Sequence, residues 1–295
     1  MEFAKTIIVP NLILLAGLLL LVGWLLKTSL GRKALADSIP RRNNMPIYLP
    51  FVPLFIWFGI TWLIASIAQR LFSDFQGRQD DFLDNLILCI GEMATIAVII
   101  FLARIHFTRG LKGFGLNIKT IVRDFFTAFV NLLTVWPLIA AAVLLTAYIG
   151  EFVWGQEYQI QQHQQLKLIT EQSQLLPRIL IVFVAVIIAP LLEEMLFRGL
   201  FQTTIRSYLE AFRSLLVRQN STDEKRAVYR NGAWPAIFIS SGLFTMTHNN
   251  QGHWPALFVL GICMGYAYEK SGSLFRPIFI HSIFNTISII ATLYQ

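Results

Sequence analysis

Residues 181–199 read IVFVAVIIAPLLEEMLFRG, an apolar run that ends in two glutamates and an arginine. The first nine residues are wholly apolar, as in a helix inside a bilayer, yet Glu193, Glu194 and Arg198 follow within two turns. An ionised side chain at the middle of a membrane helix costs roughly 2.5–3.5 kcal/mol on insertion scales. Three such side chains in one helix therefore indicate a buried polar site.

The composition of the whole chain indicates a multi-pass membrane protein. Of its 295 residues, 55% are hydrophobic and only 14% are charged. A soluble domain carries about a quarter charged residues. The net charge of +7 does not imply a nucleic-acid partner, and we expect none, because basic loops also orient membrane proteins. Cys89 and Cys263 lie in apolar runs, without the spacing of a disulfide framework or a metal site.

The chain contains eight segments that are long enough, or nearly so, to cross a hydrocarbon core of about 30 Å. They cover residues 7–26, 47–67, 83–103, 125–149, 179–205, 234–250, 254–269 and 275–293. We therefore predict an all-α fold, a polytopic bundle of about eight transmembrane helices. The polar stretch 218–232 is predicted to be a loop. The glutamine-rich stretch 156–174 is either an amphipathic interfacial helix or a soluble loop.

Loops that are rich in lysine and arginine alternate along the chain with loops that hold few of them. Loops 27–46 and 104–124 hold five each and region 206–233 holds six, whereas loops 68–82, 150–178 and 270–276 hold two each. Loop 251–253 holds none. Because basic loops stay on the cytoplasmic side, we predict that both termini lie on the outer side of the cell (inner) membrane.

Helical geometry divides the three charges at 193–198 into two groups. Neighbouring residues lie about 100° apart on a helix, so Glu193 and Glu194 face different ways. Arg198 follows Glu194 by four residues, the favourable order for an ion pair, which leaves Glu193 free. The alternative is a charge cluster that caps a helix end at the membrane interface. Pro190 removes a backbone donor, which frees the carbonyl of Val186 and kinks the helix.

Two further polar clusters occur on apolar segments. Phe244 and His248 are four residues apart on the sixth segment, and His281 and Asn285 are four residues apart on the eighth. At 1.5 Å per residue, Glu193, His248 and Asn285 can all lie about 20 Å from the cytoplasmic side. This common depth favours a buried Glu194–Arg198 pair over an interfacial cap.

In this order, Glu-Glu-x-x-x-Arg (193–198), Phe-x-x-x-His (244–248) and His-x-x-x-Asn (281–285) resemble the three motifs of the CAAX protease and bacteriocin-processing (Abi) family. These are intramembrane glutamic proteases related to the type II CAAX prenyl endopeptidases. The resemblance covers the C-terminal two fifths of the chain and divides it into an N-terminal transmembrane region (1–177) and a protease core (178–295). It implies an intramembrane catalytic cavity within a bundle of about eight helices.

The resemblance also implies the roles of the motif residues. Glu193 would be the general base that activates a water, assisted by His248, while His281 and Asn285 would stabilise the oxyanion. Supporting positions would be taken by Glu194, Arg198 and Phe244. A carboxylate in an apolar cavity is a stronger base than one in water, which suits this chemistry. We expect no cofactor; the alternative is a Zn²⁺ ion held by Glu193, His248 and His281.

The expected function is hydrolysis of a peptide bond in a membrane-associated or lipidated protein or peptide, within the lipid bilayer. One alternative is a catalytically silent scaffold, immunity protein or maturation factor of the same fold. Another is an ion-coupled transporter, for which Glu92 in the third segment is the relevant carboxylate. Glu92 is otherwise interpreted as a hydrogen-bonded structural residue. The first four helices carry no recognisable motif, and we expect them to contact a partner.

Overall fold

A computed structural model describes residues 2–71, 80–155, 160, 164–172, 174–216 and 222–294. In these residues the regular secondary structure is helical, and the only β-pairing is an isolated bridge between Asn43 and Phe107. The α-helices are α1 (Glu2–Lys27), α2 (Phe51–Leu71), α3 (Asp80–His106), α4 (Gly110–Phe114), α5 (Ile121–Trp154), α6 (Gln164–Glu171), α7 (Leu175–Phe183), α8 (Ala189–Glu194), α9 (Thr203–Leu216), α10 (Thr222–Met246), α11 (Trp254–Ser271) and α12 (Phe275–Leu293).

Two π-helical segments, Val184–Ile188 and Met195–Gln202, join α7, α8 and α9 into one continuous rod. We call this rod, residues 175–216, the composite helix. It corresponds to the predicted fifth segment and carries the Glu-Glu-x-x-x-Arg motif. π-Helical segments are rare, and they occur frequently at functional sites.

Five stretches of helix are long and apolar enough to cross a membrane. They are Pro10–Lys27, Phe82–His106, Ile118–Trp154, Leu175–Leu215 and Phe275–Leu293, and two shorter apolar helices cover Phe51–Ile67 and Ala233–Met246. With α11, these helices correspond to the eight predicted segments. The predicted all-α, multi-pass membrane fold is therefore confirmed.

Three boundaries differ from the sequence prediction. The loop predicted at 218–232 is wrong for most of its length, because α10 begins at Thr222; residues 218–221 lie outside the described residues. Strong helix formers such as Glu224 and Lys225 outweigh the polarity of this stretch. The sixth segment ends at Met246, so His248 lies in the turn that follows. In the glutamine-rich stretch, Gln164–Glu171 forms a helix, and most of 156–163 falls outside the described residues.

Helix α11 lies inside the bundle and contacts α5, α10, α12 and the composite helix. Two glycines of α11, Gly261 and Gly265, allow it to pack closely against its neighbours. A Cβ at Gly261 would lie 3.0 Å from the Cβ of Ser241 on α10, and one at Gly265 would lie 2.7 Å from the Oε1 of Gln202. The Gly-x-x-x-Gly sequence therefore permits close packing within the bundle.

The basic loops meet at one end of the bundle, which we call the basic end. The segment after α1 bonds to the end of α3 and to the turn after it, since Asn44 N donates to His106 O (3.0 Å) and Thr108 N to Arg42 O (3.2 Å). Leu274, between α11 and α12, donates to Gly115 O (3.0 Å). The assignment of this end to the cytoplasm stays a prediction.

Candidate active site

A buried ion pair lies at the centre of the composite helix. Arg198 Nη1 donates to Glu194 Oε1 at 2.7 Å, and both side chains are 0% exposed. Arg198 Nη2 also donates to the carbonyl of Gly261 on α11 at 3.3 Å. The pair predicted from the four-residue spacing is present, and it joins the composite helix to α11.

His281 on α12 shares the same carboxylate oxygen. Its Nδ1 lies 3.1 Å from Glu194 Oε1. We assign the proton to Nδ1 because a carboxylate oxygen only accepts. The other ring nitrogen, Nε2, then faces Glu193 Oε2 at 4.0 Å. Sequence reasoning paired Glu194 with Arg198 alone and did not foresee this contact, which depends on how α12 packs against α8.

The ring of Phe244 lies between the motif side chains. It is 0% exposed, and its centroid lies 4.5 Å from Arg198 Cζ. The rings of His248 and His281 contact it edge to face, with centroids 4.8 Å and 5.6 Å away. One aromatic ring thus contacts a side chain from each of the three motifs.

His248 is held by the end of α10 and by the next helix. Its Nδ1 lies 3.0 Å from the carbonyl of Phe244. Because a carbonyl only accepts, Nδ1 carries the proton and Nε2 is the unprotonated ring nitrogen. The indole of Trp254, the first residue of α11, donates to the His248 carbonyl at 2.8 Å. The turn that follows α10 is therefore anchored on both sides of the imidazole.

Asn285 contacts the backbone of the composite helix. Its Nδ2 donates to the carbonyl of Ala185 at 2.8 Å. In the π-helical segment Ala189 N bonds to Val184 O, a five-residue step, and a further step of this length from Pro190 would reach the carbonyl of Ala185. The expectation that Pro190 frees the carbonyl of Val186 assumed a regular α-helix and stays a prediction. Asn285 thus donates to the backbone near Pro190, which has no N–H of its own.

Glu193 and Glu92 are carboxylates on two helices that pack together. The Glu193 side chain is 14% exposed, whereas that of Glu194 is 0% exposed. Helix α3 packs against α8, and Glu92, 2% exposed, interacts electrostatically with Glu193. Neither Glu92 Oε2 nor Glu193 Oε2 has a hydrogen-bond partner among the described residues. The hydrogen bond expected for Glu92 is therefore not seen at its Oε2.

Sequence reasoning missed a ladder of buried polar groups that continues from the motif. Gln202 Nε2 donates to Gly265 O and to Glu269 Oε1, both at 3.1 Å. Arg206 pairs with Glu269 and, at 2.9 Å, with Glu210. The spacing was visible in the sequence, since every member of each series is four residues from the next. We call these residues the polar ladder: Glu194, Arg198, Gln202, Arg206 and Glu210 on the composite helix, and Gly261, Gly265 and Glu269 on α11.

The alternative zinc site can be compared with the arrangement of the side chains. In the part of the chain that the structure describes, no three His, Cys, Asp or Glu side chains are grouped as metal ligands. Glu193, His248 and His281 therefore do not form a ligand set as they stand. We derive no catalytic step through a metal.

Comparison with protein families matches residues 175–287 to the model described as type II CAAX prenyl endopeptidase Rce1-like. The matched region runs from the start of the composite helix into α12 and includes all three motifs. The resemblance predicted from those motifs is thereby confirmed over this region. Searches of curated proteins and of solved structures found no match.

Proposed function

Since residues 175–287 match the model of this endopeptidase family, we propose that the protein is an intramembrane endopeptidase that cleaves a membrane-associated or lipidated protein. The observation that carries the proposal is the placement of Glu193. Its carboxylate lies 4.0 Å from His281 Nε2, and a buried ion pair fixes the other side of that imidazole. Such an array holds a base and a polar ring in fixed orientation inside an apolar bundle.

In the proposed first step, Glu193 takes a proton from a water whose oxygen attacks the carbonyl carbon of the scissile bond. Its Oε2 suits this role because no described residue bonds to it. His248, whose ring is held through Nδ1 by the Phe244 carbonyl, would help to orient the water. The electron pair of the carbonyl moves onto its oxygen and gives a tetrahedral oxyanion.

The oxyanion requires donors that are already in place. We propose that His281 and Asn285 supply them, as the family motifs imply. Because Nδ1 of His281 already donates to Glu194, the donor to the oxyanion is Nε2–H, so His281 takes this role as the doubly protonated imidazolium. Asn285 has two amide N–H groups, and one bonds to Ala185 O, so the second is the donor to be considered. In the second step the proton held by Glu193 passes to the amine nitrogen as the C–N bond breaks.

The Glu194–Arg198 pair has a positioning role in this scheme. Glu194 accepts from both Arg198 and His281, so it orients the imidazole without contacting the substrate. Phe244 packs against the two imidazoles and the guanidinium and limits their movement.

The proposed activity is tested by comparing the termini of membrane proteins in cells that express the wild-type chain or Glu193→Gln. The matched control is Glu151→Gln, a carboxylate near the end of α5 that lies outside the site. We expect new termini with the wild type and the control but not with Glu193→Gln. Identical termini in all three strains would contradict the proposal.

Metal dependence is tested on the purified protein. We expect cleavage to continue in the presence of a chelator, with a metal content well below one ion per chain. Cleavage that stops in chelator and returns with Zn²⁺ would replace the glutamate mechanism with the zinc alternative.

A catalytically silent scaffold is the second candidate, and it is distinguished by substitution. We expect Glu193→Ala and His248→Ala to abolish biological activity while the protein still accumulates in the membrane. Full activity of both variants would favour the scaffold. For the transporter alternative, ion-coupled uptake that requires Glu92 would be the supporting result. We further propose a cell-membrane location with the basic end cytoplasmic, and a partner for the first four helices.

A further inference from the structure

The basic end contains a cavity of about 490 Å³ that is separate from the candidate active site. Three segments that are distant in sequence form its wall, residues 37–42, 108–113 and 269–272. The first two are joined by backbone and side-chain bonds, because both N and Oγ1 of Thr108 donate to Arg42 O. The tertiary fold therefore builds this cavity, and no single loop could form it.

Cationic side chains dominate the wall. The five cations are Arg41, Arg42, Arg109, Lys112 and Lys270. Two carboxylates also line it, but Glu269 is already paired with Arg206. Among the described residues, no carboxylate forms an ion pair with any of the five cations. The cavity therefore carries a net positive charge that the protein itself does not neutralise.

Arg41 is held rigidly at the wall. Its guanidinium carbon lies 3.5 Å from the centroid of the Tyr268 ring, and its Nη2 donates to Tyr268 O at 3.1 Å. Burial lowers the pKa of Arg41, and the Tyr268 side chain opposes that shift. An anion beside this guanidinium would favour its charged form.

A buried hydroxyl also lines the cavity. Ser38 is 9% exposed, and its Oγ has no hydrogen-bond partner among the described residues. Its carbonyl accepts from Arg206 Nη2 at 3.0 Å, which fixes the backbone at this position. A hydroxyl donor beside several cations is a combination that suits an oxyanion with multiple acceptor atoms.

We propose that this cationic cavity binds a phosphate group. Its volume accommodates a phosphate, and its charge excludes a metal cation. The group could belong to an anionic phospholipid at the membrane surface or to free phosphate. The first source fits the position of the cavity at the end of a membrane-spanning bundle, where basic clusters attract anionic lipids. The proposal does not depend on the proposed protease activity.

The test uses the purified full-length protein in detergent and measures the midpoint of thermal unfolding. The probes are a short-chain phosphatidylglycerol, the matching phosphatidylcholine and inorganic phosphate. A ligand that binds the folded state raises the midpoint as its concentration increases. The test variant is Arg42→Gln/Lys112→Gln, and the control is Arg32→Gln/Lys33→Gln, which removes the same charge from exposed positions outside the cavity.

We expect phosphatidylglycerol, but not phosphatidylcholine, to stabilise the wild type and the control. The test variant should bind roughly thirtyfold more weakly, at about 1 kcal/mol for each charge removed. If inorganic phosphate gives the same variant-dependent shift and phosphatidylglycerol does not, the phosphate site stands and its source is free phosphate. Equal responses of the two double variants, or no stabilisation by either anion, would overturn the proposal.

Discussion

At the scale of single residues, Glu194 is the group on which the candidate site depends. It is fully buried and neutralised by Arg198, so Arg198→Ala would leave an unpaired charge in an apolar environment. Breaking a buried pair in this way costs about 3–5 kcal/mol. We expect Arg198→Ala to unfold at a much lower temperature than the wild type in detergent, or to fail to accumulate.

The double variant Glu194→Gln/Arg198→Met separates stability from activity. It removes both charges while keeping side chains of similar length, so much of the lost stability should return. Glutamine still offers an oxygen to His281 Nδ1, but the guanidinium bond to Gly261 O is gone. We expect a folded protein with reduced cleavage. A double variant that is as unstable as Arg198→Ala would contradict this account of the pair.

Glu92 gives a second prediction at this scale. It interacts electrostatically with Glu193 on a neighbouring helix, and its Oε2 has no hydrogen-bond partner among the described residues. Glu92→Gln keeps the shape of the side chain and removes any repulsion between two negative charges. We therefore expect Glu92→Gln to have a midpoint of thermal unfolding in detergent a few degrees above that of the wild type. A fall in the midpoint would show that the Glu92 carboxylate makes a stabilising contact.

The sequence predicted some of these residue contacts and could not predict others. The Glu194–Arg198 pair follows from a four-residue spacing on one helix, which is a local property. His281 and Glu194 are 87 residues apart in sequence, so their contact depends on the rotation and depth of the two helices that carry them. No pattern in one sequence determines that rotation. The polar ladder was visible as a series of four-residue steps, but its partners on α11 were not.

At the scale of helices, Pro190 and Asn285 act together on the composite helix. Asn285→Ala removes the donor to the carbonyl of Ala185, and an unsatisfied buried carbonyl costs about 1–3 kcal/mol. In a Pro190→Ala background the alanine provides a backbone N–H, so the same substitution should cost less. A double-mutant cycle of unfolding free energies measures this coupling. Additive losses would show that the two residues act independently.

Gly199 is the point at which the composite helix contacts α4. A Cβ there would lie 2.3 Å from the Cζ of Phe114, a ring that is fully buried. We expect Gly199→Ala to lower the unfolding midpoint, since overpacking typically costs 1–3 kcal/mol. The control is Gly242→Ala on α10, where a Cβ meets nothing within 4 Å and alanine is the better helix former. Equal midpoints for the two variants would contradict the contact.

Hydropathy predicted the long helices but not their finer structure. Apolar length fixes a membrane helix, because each unsatisfied backbone group in lipid is costly. The two π-helical segments change the hydrogen-bond register of the helix without changing the apolar pattern, so the sequence could not predict the register around Pro190. Residues 222–232 were misassigned for a related reason, since polarity alone does not separate a polar helix from a loop.

At the scale of the whole molecule, the alternation of basic loops agrees with the way the bundle is assembled. Three loops that contain or adjoin lysine and arginine residues line the cationic cavity. The sequence could predict that these loops share one side of the membrane. It could not predict the cavity, because the cavity arises from backbone bonds between segments that are far apart in sequence.

The orientation of the bundle can be tested by labelling introduced cysteines in intact cells. Lys33 and Lys119 are exposed near the basic end, whereas Phe152, 84% exposed, lies near the far end of α5, about 50 Å from its start. Since basic loops stay cytoplasmic, an impermeant maleimide should label Phe152→Cys but should label Lys33→Cys and Lys119→Cys only after permeabilisation. The parent chain, whose Cys89 is buried, gives the background. Labelling of Lys33→Cys from outside would invert the orientation and place the cationic cavity on the outer face.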